Sequence, residues 1–271
     1  MTPTLALCRF ELSAALRGRT APYFAAGFGL AGLTVALVGL SAGGVLAVQG
    51  FARTSVSLLE LIVWVVPILA LISGAVAGAD CHELEFTASL PLRRHAIVFS
   101  RWAASTLTLG AAVLLGLGSA GLVIGMLAGS ADGWRYLRLI GVALLVLSAT
   151  LALGLWIGVA AHSRFKAVGV AVAVWFALVI GVDLAAIGAL AVLPPGEAGP
   201  WLSVLLMASP VNSARALGLS LFHTDVVAGP TGAALRAVLG QAGAWALTAA
   251  LIGWTVVPLG LAGRRFSRSD L

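Results

Sequence analysis

Charge is what this sequence has least of. Charged residues fill 10% of its 271 positions, against about 25% in a soluble globular chain. So little charge cannot cover the surface of a water-soluble domain of this size. Soluble enzymes, nucleic-acid-binding modules and disordered chains are therefore excluded. Lysine is nearly absent: Lys166 stands beside 15 Arg. A nucleotide-binding P-loop ends in Gly-Lys-Ser/Thr, and the only lysine follows Phe165. The chain therefore holds no Walker motif. Cysteine is scarce too. Cys8 and Cys81 form no CxxC pair and show no metal-ligand spacing, so free thiols are expected. No HExxH occurs, and the four histidines are too scattered for a metal site. The Gly118-Ser119-Ala120 stretch invites an intramembrane serine nucleophile, but no His accompanies it within a span. Ser119 is read as helix packing.

What fills the chain is apolar. Hydrophobic residues make up 61% of it, and the mean hydropathy is +1.07. A bilayer core needs about 20 apolar helical residues. Six blocks meet this, at 21–43, 58–79, 102–128, 138–160, 167–193 and 239–262. The fold class is thus an all-α, six-span membrane bundle. Ahead of the first span, Leu5, Cys8, Leu12 and Leu16 share one helical face and Arg9 and Arg17 another. That pattern predicts an interfacial helix. Cytoplasmic segments attract Arg and Lys. With both termini inside, 11 basic residues lie inside and 5 outside, accounting for all 16. Gly39 and Gly43, Gly74 and Gly78, Gly121, Gly125 and Gly129, and Gly154 and Gly158 are spaced four apart, ridges that let helix backbones approach closely in lipid.

Three segments carry more specific information. In the inner loop, Asp80 and Glu83 have capping-box spacing, and Pro91 ends a helix near Leu90. Arg93 and Arg94 follow where cations suit a helix C-terminus. The spacing predicts a short helix over about 80–91. Asp80, His82, Glu83, Glu85, Phe86, Leu90, Pro91, Arg93 and Arg94 are the candidate residues for docking and coupling to a partner; a plain solvated connector is the alternative. The outer segment 194–236 holds an apolar run, Trp201 to Ala208, too short to span, and then Pro210, Asn212 and Arg215. Asn212 or Ser213 can cap a helix there. A re-entrant or interfacial hairpin closing the outer mouth is expected, or else an ordinary long loop. Third, Asp183 follows sixteen uncharged residues of span five. At about 1.5 Å each, it lies in the outer part of the core. Acids in spans face a bundle interior or a pathway by default; snorkelling to the interface is the alternative. Glu60, at the outer end of span two, is the second pathway candidate.

Together these features resemble the type-2 ABC transporter permeases, and within them the NosY-type. That family's inner loop reads approximately E-R-E-x-G-T-L-E-L-L-L-A-Q-P-x-S-R. Aligned on the proline, Leu84, Glu85, Pro91 and Arg94 match as they stand. Asp80 takes the second acid's place, Gly78 replaces the first Glu, and His82-Glu83 replaces Gly-Thr. The start, Arg9-Phe10-Glu11-Leu12 through Arg17-Gly18-Arg19, is similar to the family's R-K-E-L…L-R-x-R. Val174-Trp175-Phe176 to Asp183-Leu184 is similar to its fifth span. Pro210…Arg215 resembles its N-P-x-D-x-Y-R, with Ser209, Asn212 and Ala214 as departures.

The resemblance implies a permease subunit of the bacterial inner membrane with both termini cytoplasmic. It implies a separate NosF-like ATPase that binds ATP and Mg and docks on the coupling helix, while this chain binds no cofactor and no nucleic acid. It further implies a second permease copy, a periplasmic NosD-like partner, and service to the copper centres of nitrous oxide reductase. A generic ABC-2 exporter of lipid or drug is the rival within the family. A secondary transporter is the rival outside it, although the chain shows no inverted repeat of the kind such proteins carry.

Overall fold

The structure, a computed structural model, describes residues 9–13, 20–41, 47–79, 94–128, 133–161, 163–192, 194–221 and 243–268. Every regular element among these residues is helical. Lipid offers a backbone no hydrogen-bond partner, so each apolar run closes its own bonds, even where Val, Ile and Gly are weak helix formers in water. The helices are α1 (Thr20–Ser41), α2 (Ala47–Gly78), α3 (Arg94–Ala128), α4 (Gly133–Ala161) and α5 (Arg164–Phe176). A π-turn over Ala177–Gly181 joins α5 to α6 (Val182–Val192). Then come α7 (Pro195–Ala208), α8 (Pro210–Ser220) and α9 (Gly243–Arg268).

Among the described residues, five segments are long and apolar enough to cross a membrane: 54–78 in α2, 95–126 in α3, α4, 164–192 in α5–α6, and 243–267 in α9. Helix α1 has 22 residues, about 33 Å at 1.5 Å per residue, which also exceeds an about 30 Å core. Helices α2 and α3 start at Ala47 and Arg94, ahead of the apolar blocks at 58 and 102. Hydropathy marks only the stretch in lipid; a helix continues past it wherever its backbone bonds still close. Residues 9–13 are helical within the expected interfacial segment. The inner loop 80–93, with all its docking candidates except Arg94, lies outside the described residues, as does 222–242. Arg94 opens α3.

Helices α2 and α4 form the centre. Two-thirds of α4's apolar window is buried, against 11% for α5–α6. The two central helices touch backbone to backbone. A Cβ on Gly74 or Gly78 would strike the Leu151 or Leu155 carbonyl, and one on Gly154 or Gly158 the Leu71 or Ala75 carbonyl. The two glycine ridges thus face one another, giving the close approach that drives helix pairing in lipid. On α3, Tyr136 of α4 lies over Gly121 and donates to the Leu117 carbonyl at 2.6 Å. Helix α1 packs on α3 where Gly116 meets Phe28 and the Gly29 backbone. Ser119 Oγ donates to the Gly116 carbonyl of its own helix at 2.8 Å.

One end of the bundle gathers residues 9–13, the end of α2, the start of α3 and the end of α9; we call it the termini end. The far end holds the starts of α4 and α9, where Trp134 and Trp245 are exposed. Exposed tryptophan at a bundle rim suits a membrane–water interface. Arg138 lies 5.3 Å from the Trp134 ring centroid, a cation–π contact.

Candidate functional site: an acid–base cluster at the far end

Between α6 and α9 the chain makes a broken hairpin. Helices α7 and α8 meet at Ser209 with a bend of 110°. Neither is long enough to cross by itself, and the two half-length helices form one sharply bent pair. Ser209 caps α8: its Oγ accepts from the Asn212 amide at 3.4 Å, and Pro210 follows in the first turn, where a missing N–H does no harm. The cap is therefore Ser209, not Asn212 or Ser213. Those two lie one residue or more inside α8, and Asn212 uses its side chain elsewhere.

The hairpin is pinned on several sides. The Ser209 hydroxyl donates to the Leu178 carbonyl at 3.0 Å. Leu178 lies in the π-turn, where the i→i−4 ladder of span five is interrupted. Ser213 Oγ donates to the Leu206 carbonyl at 2.8 Å, and Trp254 Nε1 of α9 to the Met207 carbonyl at 3.0 Å. Both acceptors lie in the last turn of α7, whose carbonyls have no partner within the helix. Ser209, Val211, Asn212, Ser213 and Ala214 are all buried.

This scaffold sets four polar side chains together. Asp183 sits in the first turn of α6, immediately beyond the π-turn. Asn212 Nδ2 donates to its Oδ1 at 3.0 Å, and Arg215 Nη1 to its Oδ2 at 3.0 Å. Asn212 and Arg215 are three apart on α8 and so share a face. Arg215 Nε also stands 3.5 Å from Oε1 of Glu60 on α2. One guanidinium thus serves two carboxylates, leaving the cluster at net −1. The Asp183 and Glu60 side chains are 45% and 44% exposed, Arg215 20%. Asn212 is 4% exposed.

Asp183, Glu60, Asn212 and Arg215, candidates of two separate kinds in the sequence, are one constellation. Pro210 belongs to the supporting turn and touches none of the carboxylates through a polar atom. Ser209 escaped the sequence reading, although the Ser-Pro dipeptide at a helix start is a signal that points to it. Chemically, the cluster ties α2, α6 and α8 by charge-assisted contacts at the far end of the bundle. Separating α6 from α8 must break both bonds to Asp183.

A family model described as an ABC-2 family transporter protein matches residues 30–271, nearly the whole bundle. The chain belongs to the ABC-2 transporter family. Among relatives, this ABC-2 permease is 30% identical over 225 residues to a Stutzerimonas stutzeri protein, covering 80% of this chain and 81% of that one. It is 28% identical over 273 positions to a Pseudomonas aeruginosa protein, covering 98% of each. Both carry the name "Probable ABC transporter permease protein NosY". The family sets aside the secondary-transporter reading. It describes a multi-span integral membrane subunit, in agreement with the helices above.

Proposed function

We propose that this chain is the permease subunit of an ATP-driven transporter of the NosY kind, working for copper-centre assembly of nitrous oxide reductase. The observation that carries the reading is the match to NosY-named permeases along 98% of both chains, together with the family match over 30–271. With no Gly-Lys-Ser/Thr of its own, the chain relies on a separate NosF-like ATPase that uses ATP and Mg. The ATPase docks at the termini end, on the inner loop 80–93, through Glu83, Glu85, Phe86 and Leu90. Arg93 ends the loop and Arg94 opens α3, and that end lies in the cytoplasm under the inner membrane. Few Cys, Met or His stand in the spans, so the chain is not a direct copper conduit. It does conformational work or moves another species, with a NosD-like periplasmic partner on the far end.

The working unit contains a second copy of the permease. Helix α5–α6 supports this: only 11% of its apolar window is buried, and Phe176, Ile180, Leu184 and Ile187 are exposed along it. Asp183 shares that flank. An acid at this depth is unfavourable in lipid, and a partner copy removes it and Glu60 from lipid while lining a polar outer mouth. In this arrangement the Asp183–Arg215–Glu60 latch is the outer gate. The direct test is a strain lacking this chain. Nitrous oxide reductase purified from it should lack its copper-centre absorption, and the chain supplied on a plasmid should restore it. An enzyme with full copper centres in the deletion strain sends the function to the generic ABC-2 exporter reading.

A further inference from the structure

Among the described residues, a second charged pair stands apart from the Asp183–Arg215–Glu60 cluster. Arg101, seven residues into α3, is 4% exposed, and Glu11 is 12% exposed. Arg101 Nε donates to Glu11 Oε1 at 3.2 Å, and its Nη1 to the Ala77 carbonyl at 2.8 Å. Ala77 stands in the last turn of α2, where carbonyls have no partner within the helix and attract cations. A single guanidinium therefore joins three things: the end of α2, the start of α3 and the helical turn at 9–13. Helices α2 and α3 are the two arms between which the loop 80–93 is strung.

The setting makes this junction stiff. Ala77 and Trp102 pack against a cluster of Ile97, Val98, Leu155, Val159, Ala262 and Phe266 that holds the termini ends of α3, α4 and α9 together. Gly263 of α9 lies against the His95 ring, again at the start of α3. A cation needed only to orient the chain has no reason to be buried, and Arg93 and Arg94 already mark this end. Arg rather than Lys fits, because its planar fork reaches two acceptors at once.

We propose that Arg101 is a positioning residue for coupling: through Glu11 and the Ala77 carbonyl it makes the N-terminal turn and both arms of the inner loop one mechanical unit. A push delivered at 80–93 then reaches the segment leading into α1 as well as α2 and α3. The inference rests on the docking of an ATPase at this end. It adds a tether that the docking reading does not require.

The test uses the whole chain in nanodiscs, alone and with its ATPase, as E11Q, R101M and the double variant E11Q/R101M. Neutralising one member of a buried ion pair costs more than neutralising both. Both single variants should melt below wild type, and the double variant should regain most of the loss. All three should still co-purify with the ATPase. Yet the double variant should lose at least half of the permease-dependent ATP turnover. Its amides at 9–13 should exchange about tenfold faster, equivalent to roughly 1.4 kcal/mol. A double variant with wild-type turnover and wild-type exchange overturns the proposal and leaves an ordinary structural ion pair. Should the ATPase fail to bind even the wild-type chain, the docking reading falls, and exchange at 9–13 in the permease alone still decides the tether. If the double variant does not accumulate, R101K carries the test: one ammonium cannot hold both acceptors, so faster exchange at 9–13 is again expected and unchanged exchange refutes.

Discussion

Replacing Asp183 by Asn removes one negative charge and keeps the shape of the side chain. The new amide can still accept from Asn212 Nδ2, but its NH2 then faces the Arg215 guanidinium, donor against donor. Hydrogen bonds to charged groups contribute about 1.5–3 kcal/mol when shielded from water. Asp183 is 45% exposed, so screening brings the expected loss to about 1 kcal/mol. Glu60 is 44% exposed and 3.5 Å from Arg215, without hydrogen-bond alignment, so E60Q should lose only about 0.3 kcal/mol. R215M removes the cation shared by Asp183 and Glu60 and leaves two unneutralised acids near lipid. Such an acid costs about 2.5–3.5 kcal/mol at the core centre and less toward the interface, so its loss should approach roughly 2 kcal/mol. The assay is unfolding in mixed micelles by a denaturing detergent, followed by tryptophan fluorescence. The expected order of loss is R215M, then D183N, then E60Q. The D183N–R215M cycle should give an interaction of about 1 kcal/mol, and the E60Q–R215M cycle should lie near zero. E60Q costing as much as D183N, or a silent R215M, would refute the latch as described.

Other outcomes follow from the same geometry. D183N should lower ATP-driven activity more than it lowers the amount of inserted protein; equal losses by activity assay and immunoblot would make Asp183 merely structural. S209A removes both the α8 cap and the donor to Leu178, so the detergent midpoint should fall by about 1–2 kcal/mol, with S209T retaining most of it. Gly154→Leu drives a side chain into the Leu71 backbone and should abolish accumulation in the membrane. Gly125→Ala, with open space around it, should be neutral or stabilising by up to about 1 kcal/mol. Glu85→Ala with Phe86→Ala should release the ATPase in co-purification while leaving the permease inserted, since small contacts concentrate their energy in a few anchors.

Much of the bundle was legible in the sequence because lipid imposes a simple rule: about 20 apolar residues per crossing, with charge left for the ends. The partners within the bundle were not. Asp183 is separated from Asn212 and Arg215 by 29 and 32 residues, and nothing local in a single sequence links them. The ridges at Gly74/Gly78 and Gly154/Gly158 were visible, but among 33 glycines such spacings recur by chance. Only packing shows that these two face each other. The π-turn before Asp183 has no compositional mark, because Ala177–Gly181 reads as more apolar helix. Nothing in the sequence around Arg101 marks it as buried; its burial, and with it its bond to Ala77, depends on the arrangement of α2, α3 and the N-terminal turn.

The central claim is that this chain transduces the work of an ATPase it does not itself contain. The most direct measurement is ATP turnover in nanodiscs by the chain alone, by a NosF-like ATPase alone, and by the two together. No turnover by the chain alone is predicted, with an increase by the ATPase only when the chain is present, lost on Glu85→Ala with Phe86→Ala. Turnover by the purified chain alone that a point change within it abolishes, or an ATPase indifferent to its presence, would contradict the account.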